Sequence, residues 1–260
     1  MTSLRKPLAL LLIALLVGGC FRTFNVRRYP TPQALYRAGL EQYEKKKYGS
    51  AILAFERLTF DLPTRDTLLP RAHWYLGQAR RQNNERLLAA QSFNRLAEQF
   101  PNDSLADDAM YMSARSYREM WRRPSLDPQY GILAQSQFRL VQGMFPDSPY
   151  ADSSLKQLLE LDEWFAEKDY ATGMHYVRRR GYDSALLYFR DVVTNYPNTD
   201  KARLAMLQMV RVYRLPMMNY TEDAVEVCAA LRAGFPTDAE VLATCKLPTP
   251  PVPPVGAARS

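Results

Sequence analysis

Three cysteines are the residues best suited to covalent chemistry in this chain of 260 residues, and they occupy two different settings. Cys20 directly follows the residues VGG at 17–19, at the end of an apolar run, whereas Cys228 and Cys245 lie near the other end of the chain. The two later thiols can form a disulfide in an oxidising compartment. Alternatively, Cys228 can serve as a small buried hydrophobe, because it stands where the repeats described below carry phenylalanine.

The residues before Cys20 follow the order of a secretory signal. Arg5 and Lys6 form a basic start, and Leu8–Val17 is an uncharged apolar stretch. This stretch is too short to span a bilayer, which needs roughly 20 apolar residues. Small residues followed by cysteine resemble the lipobox of bacterial lipoprotein signals. The resemblance implies removal of residues 1–19 and attachment of acyl chains, palmitate among them, to Cys20. The alternative is a plain signal peptide with a cysteine there by chance.

The residue after the cysteine bears on which membrane holds the protein. Inner-membrane lipoproteins of diderm bacteria usually carry aspartate there, whereas this chain has Phe21. By resemblance, Phe21 implies a lipid-anchored protein of the bacterial outer membrane, facing the periplasm. Residues 20–32 then form a lipidated tether, and two or more acyl chains give stable binding to the bilayer.

Charge and motif content exclude several functions. Loss of residues 1–19 removes two basic residues and lowers the formal net charge from +7 to +5. The remaining charges are scattered, and the short basic runs at 45–47 and 178–180 indicate solvated helix ends, so we expect no nucleic-acid partner. His73 and His175 lie far apart, and the chain lacks a phosphate loop, a nucleophile elbow and an HExxH motif. We therefore predict no enzyme activity, no metal and no cofactor.

One phrase recurs along the chain: an aromatic residue followed by proline eight positions later. Four copies start at Phe55, Phe93, Phe138 and Phe189, and a degenerate fifth copy starts at Cys228. Alanine stands four positions before each of them. The pattern resembles the tetratricopeptide repeat, a helix–turn–helix unit of about 34 residues. Small residues let its two helices approach closely, and proline ends the second helix.

The repeats predict an all-α fold, a superhelix of about five helical hairpins of the tetratricopeptide type. Each pair must stack on its neighbours to bury its apolar face. We expect the array over residues 33–245, with repeats at 33–64, 70–102, 106–147, 150–198 and 201–237. The extra length predicts a loop at 122–131 and a long amphipathic helix over residues 150–169. The proline-rich residues 246–260 are expected to be disordered.

Four stretches narrow the family. They are DDAMYMSARSY (107–117), SLDPQYGILAQSQFRLVQGMFPDSPYADSSLKQL (125–158), FAEKDYATGMHYVRRRGYDSALLYF (165–189) and YPNTDKARLAMLQMVRVYR (196–214). In this order, behind a lipobox, they resemble the BamD family. The resemblance implies a scaffold and substrate receptor of the β-barrel assembly (Bam) complex. Its partners would be a BamA-like protein with POTRA domains and a β-barrel, unfolded outer-membrane proteins as clients, and the lipid bilayer. It also implies that Arg203 contacts the BamA-type partner.

Aromatic residues and arginines occupy the repeat positions that line the concave face of tetratricopeptide arrays. The candidate substrate-peptide groove consists of Tyr36, Leu40, Tyr43, Trp74, Gln78, Arg81, Tyr111, Arg115 and Arg118. Such a surface suits a peptide that carries aromatic side chains and a terminal carboxylate, which arginine binds with two parallel hydrogen bonds. The alternative is that these side chains pack against neighbouring repeats, and that Arg203 is a solvated helix residue.

Two other functions stay open from the sequence. An envelope lipoprotein that coordinates peptidoglycan synthesis or cell division would share the anchor and the repeats, without the match at 125–158. A hydrolase built on the helices would need a nucleophile, a base and an orienting group brought together from distant residues, and no such set is recognisable.

Overall fold

The structure, a computed structural model, describes residues 24–246. The signal peptide, Cys20 and residues 247–260 of the proline-rich tail lie outside the described residues. The regular secondary structure of the described range is helical, as the repeat spacing predicts. The chain divides into two compact units, with the boundary between Ser113 and Ala114.

The first unit contains a short 3-10 turn, Val26–Arg28, and two complete helix pairs. Its helices are α1 (Pro32–Glu44), α2 (Tyr48–Asp61), α3 (Leu68–Gln82), α4 (Arg86–Gln99) and the first part of α5 (Ala106–Arg118). From α1 to α4 each helix packs on the next one along the chain. Phe24, Val26 and Tyr29 pack against the same core, so the second half of the predicted tether lies on the first repeat.

The second unit begins within α5 and contains six further helices. They are α6 (Gln129–Met144), α7 (Pro149–Arg178), α8 (Tyr182–Asn195), α9 (Asp200–Tyr213), α10 (Thr221–Gly234) and α11 (Ala239–Thr244). Because α6 starts at Gln129, the loop expected at 122–131 ends earlier. The long helix expected near residue 150 is α7, which has 30 residues and packs against α6, α8 and α9.

Polar side chains define where several helices begin. The hydroxyls of Thr31, Ser148 and Thr199 accept hydrogen bonds from backbone N–H groups in the first turns of α1, α7 and α9, at 3.2, 3.1 and 3.2 Å. These bonds satisfy donors that the helix itself leaves unpaired. Pro32 and Pro149 stand at the first helical positions, where the missing N–H costs nothing.

The turn inside a helix pair takes the same backbone form in four repeats. Lys46, Asn84, Arg180 and Asn219 have φ between 51° and 63°, and each lies nine positions before the repeat aromatic or its equivalent, Cys228. This left-handed conformation ends the first helix of the pair. The third repeat lacks it, because the longer segment 119–128 joins its helices.

Glycine allows the two helices of a pair to touch in three repeats. A Cβ atom added to Gly39 would lie 2.9 Å from Phe55, one added to Gly77 would lie 2.6 Å from Phe93, and one added to Gly173 would lie 2.5 Å from Phe189. Real Cβ atoms do not approach aromatic carbons this closely. Each phenylalanine is fully buried. The glycine and the aromatic residue sixteen positions later therefore act as one packing unit, as the repeat spacing predicts.

The C-terminal helix is held by a disulfide. Cys228 in α10 and Cys245 just after α11 are bonded, with their Cα atoms 5.5 Å apart. Both cysteines are buried beside Leu207, Leu231 and Val241. The structure thus realises both possibilities that the sequence left open for Cys228. Closing a loop of this size lowers the conformational entropy of the unfolded chain, which stabilises the folded state by about 3 kcal/mol.

Candidate functional site

Three tyrosines of the first unit form a half-buried group on the first helices of two successive repeats, referred to below as the tyrosine cluster. Tyr36 and Tyr43 belong to α1, and Tyr75 belongs to α3. The ring centroid of Tyr75 lies 6.1 Å from that of Tyr36 and 5.8 Å from that of Tyr43. Tyr75 also stacks on the buried Phe55, at 5.6 Å. The repeat core thus fixes the position of the cluster from below.

Arginines lie close enough to the tyrosine cluster to affect its titration. Burial, followed by the neighbouring Tyr75, raises the pKa of Tyr36, and the charge of Arg71 opposes this. Burial also raises the pKa of Tyr43, while the charge of Arg81 lowers it. The phenols of Tyr36 and Tyr43 are therefore neutral at physiological pH. The surface offers aromatic faces and hydroxyl donors beside positive charge.

The other predicted groove residues of the first unit lie on the first helices of the first three repeats, α1, α3 and α5. Leu40 packs against the same core, and Gln78 and Arg81 are partly buried on α3. Trp74 makes an edge contact with Phe93 of its own repeat, at 5.4 Å between ring centroids. Tyr111 is partly buried on α5. Trp74 thus packs within its own pair, whereas its neighbour Tyr75 reaches the tyrosines of the preceding repeat.

Arg118, in the second unit, has a packing role. Its guanidinium lies 3.8 Å from the ring centroid of Trp164 and donates a hydrogen bond to the carbonyl oxygen of Trp121 at 3.2 Å. Burial lowers its pKa from the usual value. Arg115 forms an ion pair with Glu119 at 3.7 Å. Arg118 therefore holds the start of segment 119–128 against α7 through a cation–π contact.

Arg203 lies in a network of charges between α9 and α11. Its Nη1 atom is 3.2 Å from Oδ2 of Asp238 and 3.4 Å from Oε2 of Glu240. Arg211 pairs with the same Glu240 at 2.9 Å. Asp238 also caps α11 by accepting hydrogen bonds from the N–H groups of Glu240 and Val241. Arg203 thus fixes the beginning of α11 on α9.

Two parts of this arrangement were missed from the sequence. The repeat register assigns the groove position to Trp74, whereas the offset between successive repeats brings its neighbour Tyr75 to the tyrosines of α1. The carboxylate partners of Arg203 were also missed, since they lie 35 and 37 positions further along the chain. The acidic pair after Pro236 was the available signal, because aspartate before a short helical run is typical of a helix start.

Known proteins resemble this chain over most of its length. The profile of the YfiO family, described as outer membrane lipoprotein, matches residues 29–231. The chain belongs to the YfiO family. The outer membrane protein assembly factor BamD of Rickettsia prowazekii is 26% identical over 230 residues, which cover 88% of this chain and 90% of the relative. Its counterpart in Vibrio cholerae is 24% identical over 231 residues, with 85% and 94% covered. That of Caulobacter vibrioides is 23% identical over 236 residues, with 89% and 76% covered.

Some of the features described above lie within the residues that match the YfiO profile, and others lie outside them. The tyrosine cluster, Arg118 and Arg203 all fall within residues 29–231. Cys20, Asp238 and Cys245 fall outside that range. Within residues 24–246, no helix is long and apolar enough to cross a bilayer.

Proposed function

We propose that this chain is a lipid-anchored scaffold and substrate receptor that helps insert and fold outer-membrane β-barrel proteins, and that it is not an enzyme. The observation that carries the proposal is the YfiO family match over residues 29–231. The similar proteins of three organisms, each named outer membrane protein assembly factor BamD, support it. Acylated Cys20 anchors the chain to the outer membrane on its periplasmic face. The repeats bind clients and the BamA-like partner.

The tyrosine cluster is the part of the surface best suited to unfolded clients. Its rings are half-buried and prepositioned by Phe55, so binding costs little side-chain entropy. Aromatic side chains of a client stack on these rings, at about 0.5–1.5 kcal/mol for each pair beyond burial. Arg71 and Arg81 provide positive charge for a terminal carboxylate. Several such weak contacts allow a client to be held and then released.

The partner surface is proposed at the C-terminal repeats. Arg203 supports contact with a BamA-like POTRA protein by holding α11 on α9 through Asp238 and Glu240. The disulfide holds the other end of α11. A partner therefore meets a surface made of two fixed helices, and Arg203 acts through their position.

Copurification with localisation tests this function. A tagged full-length chain, extracted in mild detergent, should recover a protein with POTRA domains and a β-barrel, and its depletion should lower several unrelated β-barrels together. The Cys20→Ala variant should be lost from the outer-membrane fraction. Absence of a POTRA protein, or altered septa with normal β-barrel levels, would reject the assembly role and favour a function in peptidoglycan synthesis or division.

A further inference from the structure

An exposed apolar surface on the first repeat lies next to the end of the tether. Phe60 on α2 is 84% exposed. Leu53, two turns earlier on the same helix, is 50% exposed. Phe24 lines one open groove together with both of them. These three residues are called the Phe60 face below.

The Phe60 face is not explained by repeat packing. In the four later repeats the positions equivalent to Phe60 are Glu98, Gly143, Thr194 and Ala233, and all of them are exposed. None is aromatic. The position therefore points away from the core in every repeat, and only the first repeat places a large apolar side chain on it. A phenylalanine that is 84% exposed adds little to the stability of the fold, and together with Leu53 it forms an apolar patch of the kind that marks an interaction site.

The length of the tether limits how far this face lies from the bilayer. Three residues lie between Cys20 and Phe24, and the four Cα-to-Cα steps that join them span at most about 14 Å in any conformation. Phe24 itself is fixed on the first repeat by stacking on Tyr29 at 5.5 Å. An acylated Cys20 therefore keeps the Phe60 face within the thickness of the headgroup layer and its adjoining water.

The charges around the Phe60 face suit a phospholipid surface. Arg27 and Arg28 are exposed on the 3-10 turn after Phe24. The groove itself is lined by one acidic and one basic residue, Glu56 and Arg57, and these are paired with Arg80 and Asp61, so their charges are balanced. Basic residues beside exposed phenylalanine and leucine are typical of surfaces that lie in the interface of a bilayer. Anionic headgroups would attract the arginines while the apolar side chains enter the acyl boundary.

We propose that the Phe60 face inserts into the phospholipid headgroup region and is a second membrane contact, which orients the first repeat on the bilayer. An acyl anchor alone does not specify the direction in which the repeats lie on the membrane. With Phe24, Leu53 and Phe60 in the interface, α2 lies against the membrane and the first repeat is fixed in direction. The inference rests on the proposed acylation of Cys20.

Depth-dependent quenching tests the contact. In the full-length acylated protein Cys20 is a thioether, and Cys228 and Cys245 are bonded, so an added cysteine is the only free thiol. Phe60→Cys, labelled with an environment-sensitive fluorophore, is reconstituted in vesicles of phosphatidylethanolamine and phosphatidylglycerol that contain spin-labelled lipids. The matched control is Glu98→Cys, at the equivalent exposed position of the next repeat. A second label at Leu53→Cys guards against a local disturbance at residue 60.

Quenching at residues 60 and 53 should exceed quenching at residue 98 severalfold, with less access to aqueous iodide. Equal quenching at residues 60 and 98, with acylation verified by mass spectrometry, would overturn this inference and leave the proposed assembly function standing. An unacylated Cys20 would overturn the anchor and this inference together.

Discussion

Replacing Phe55 by alanine removes the ring on which the first helix pair closes. The ring is fully buried, and its centroid lies 5.9 Å from that of Tyr36 and 5.6 Å from that of Tyr75. The ring also fills the space next to Gly39, which has no side chain of its own. Phenylalanine-to-alanine changes in a core cost about 3–5 kcal/mol. We expect the free energy of unfolding of the first unit to fall by that amount.

The matched control is Phe60→Ala on the same helix. The chemical change is identical, but this ring is 84% exposed, so the free energy of unfolding should change by less than about 0.5 kcal/mol. Urea unfolding followed by circular dichroism measures both variants. Hydrogen exchange should rise in α1 and α2 of Phe55→Ala alone, since repeats at the end of an array can open locally.

Equal shifts of the unfolding midpoint in the two variants would refute this reasoning, because burial of the repeat aromatic would then not be what holds the pair together. The same variants report on function. Loss of Phe55 also removes the support beneath Tyr75, so client-peptide affinity should fall with stability in Phe55→Ala and stay unchanged in Phe60→Ala.

Three further perturbations address other parts of the chain. The double variant Tyr36→Ala, Trp74→Ala should weaken binding of C-terminal β-strand peptides about tenfold, measured by fluorescence anisotropy. The corresponding double variant with phenylalanine at both positions should bind normally. Unchanged peptide affinity in the alanine variant would leave both rings with a packing role only. Arg203→Ala should speed amide exchange in α11, and exchange at the wild-type rate would exclude its part in holding that helix. Burial, aided by nearby arginine charge, lowers the pKa of the His73 side chain to about 4. The unfolded chain binds this proton near pH 6.5, so stability should be complete above that pH and fall as pH drops towards 4. Denaturant unfolding should show this slope reduced in His73→Leu but retained in His175→Leu.

Local spacing explains why the fold is predictable from the sequence. The glycine, the alanine, the aromatic residue and the proline of one repeat lie within one helix pair, so their order alone specifies the pair. Gly77 and Phe93 show this directly, since they touch and are sixteen positions apart. Local spacing does not predict the full length of α7. The expected helix near residue 150 and the first helix of the fourth repeat form one continuous helix that ends at Arg178.

The candidate site depends on relations between repeats, which a single repeat does not encode. The rotation from one pair to the next decides that Tyr75, and not Trp74, meets the tyrosines of α1. Likewise, Arg203 finds its carboxylates only because the chain returns after α10. Pairing of Cys228 with Cys245 also follows from that return. Composition and spacing supplied the residue types, and the packing of successive helices selected among them.

The bond between Cys228 and Cys245 has a practical consequence for how the protein is made. Cytosol is reducing, so material expressed there without export keeps both thiols free. In such a preparation α11 is held by the burial of Val241, by the Arg203 network and by the carbonyl contacts of Arg214 and Arg232. Partner-binding measurements on cytosolic and exported preparations would then compare a reduced with a disulfide-bonded C-terminal region. Titration of free thiols identifies which form a preparation contains.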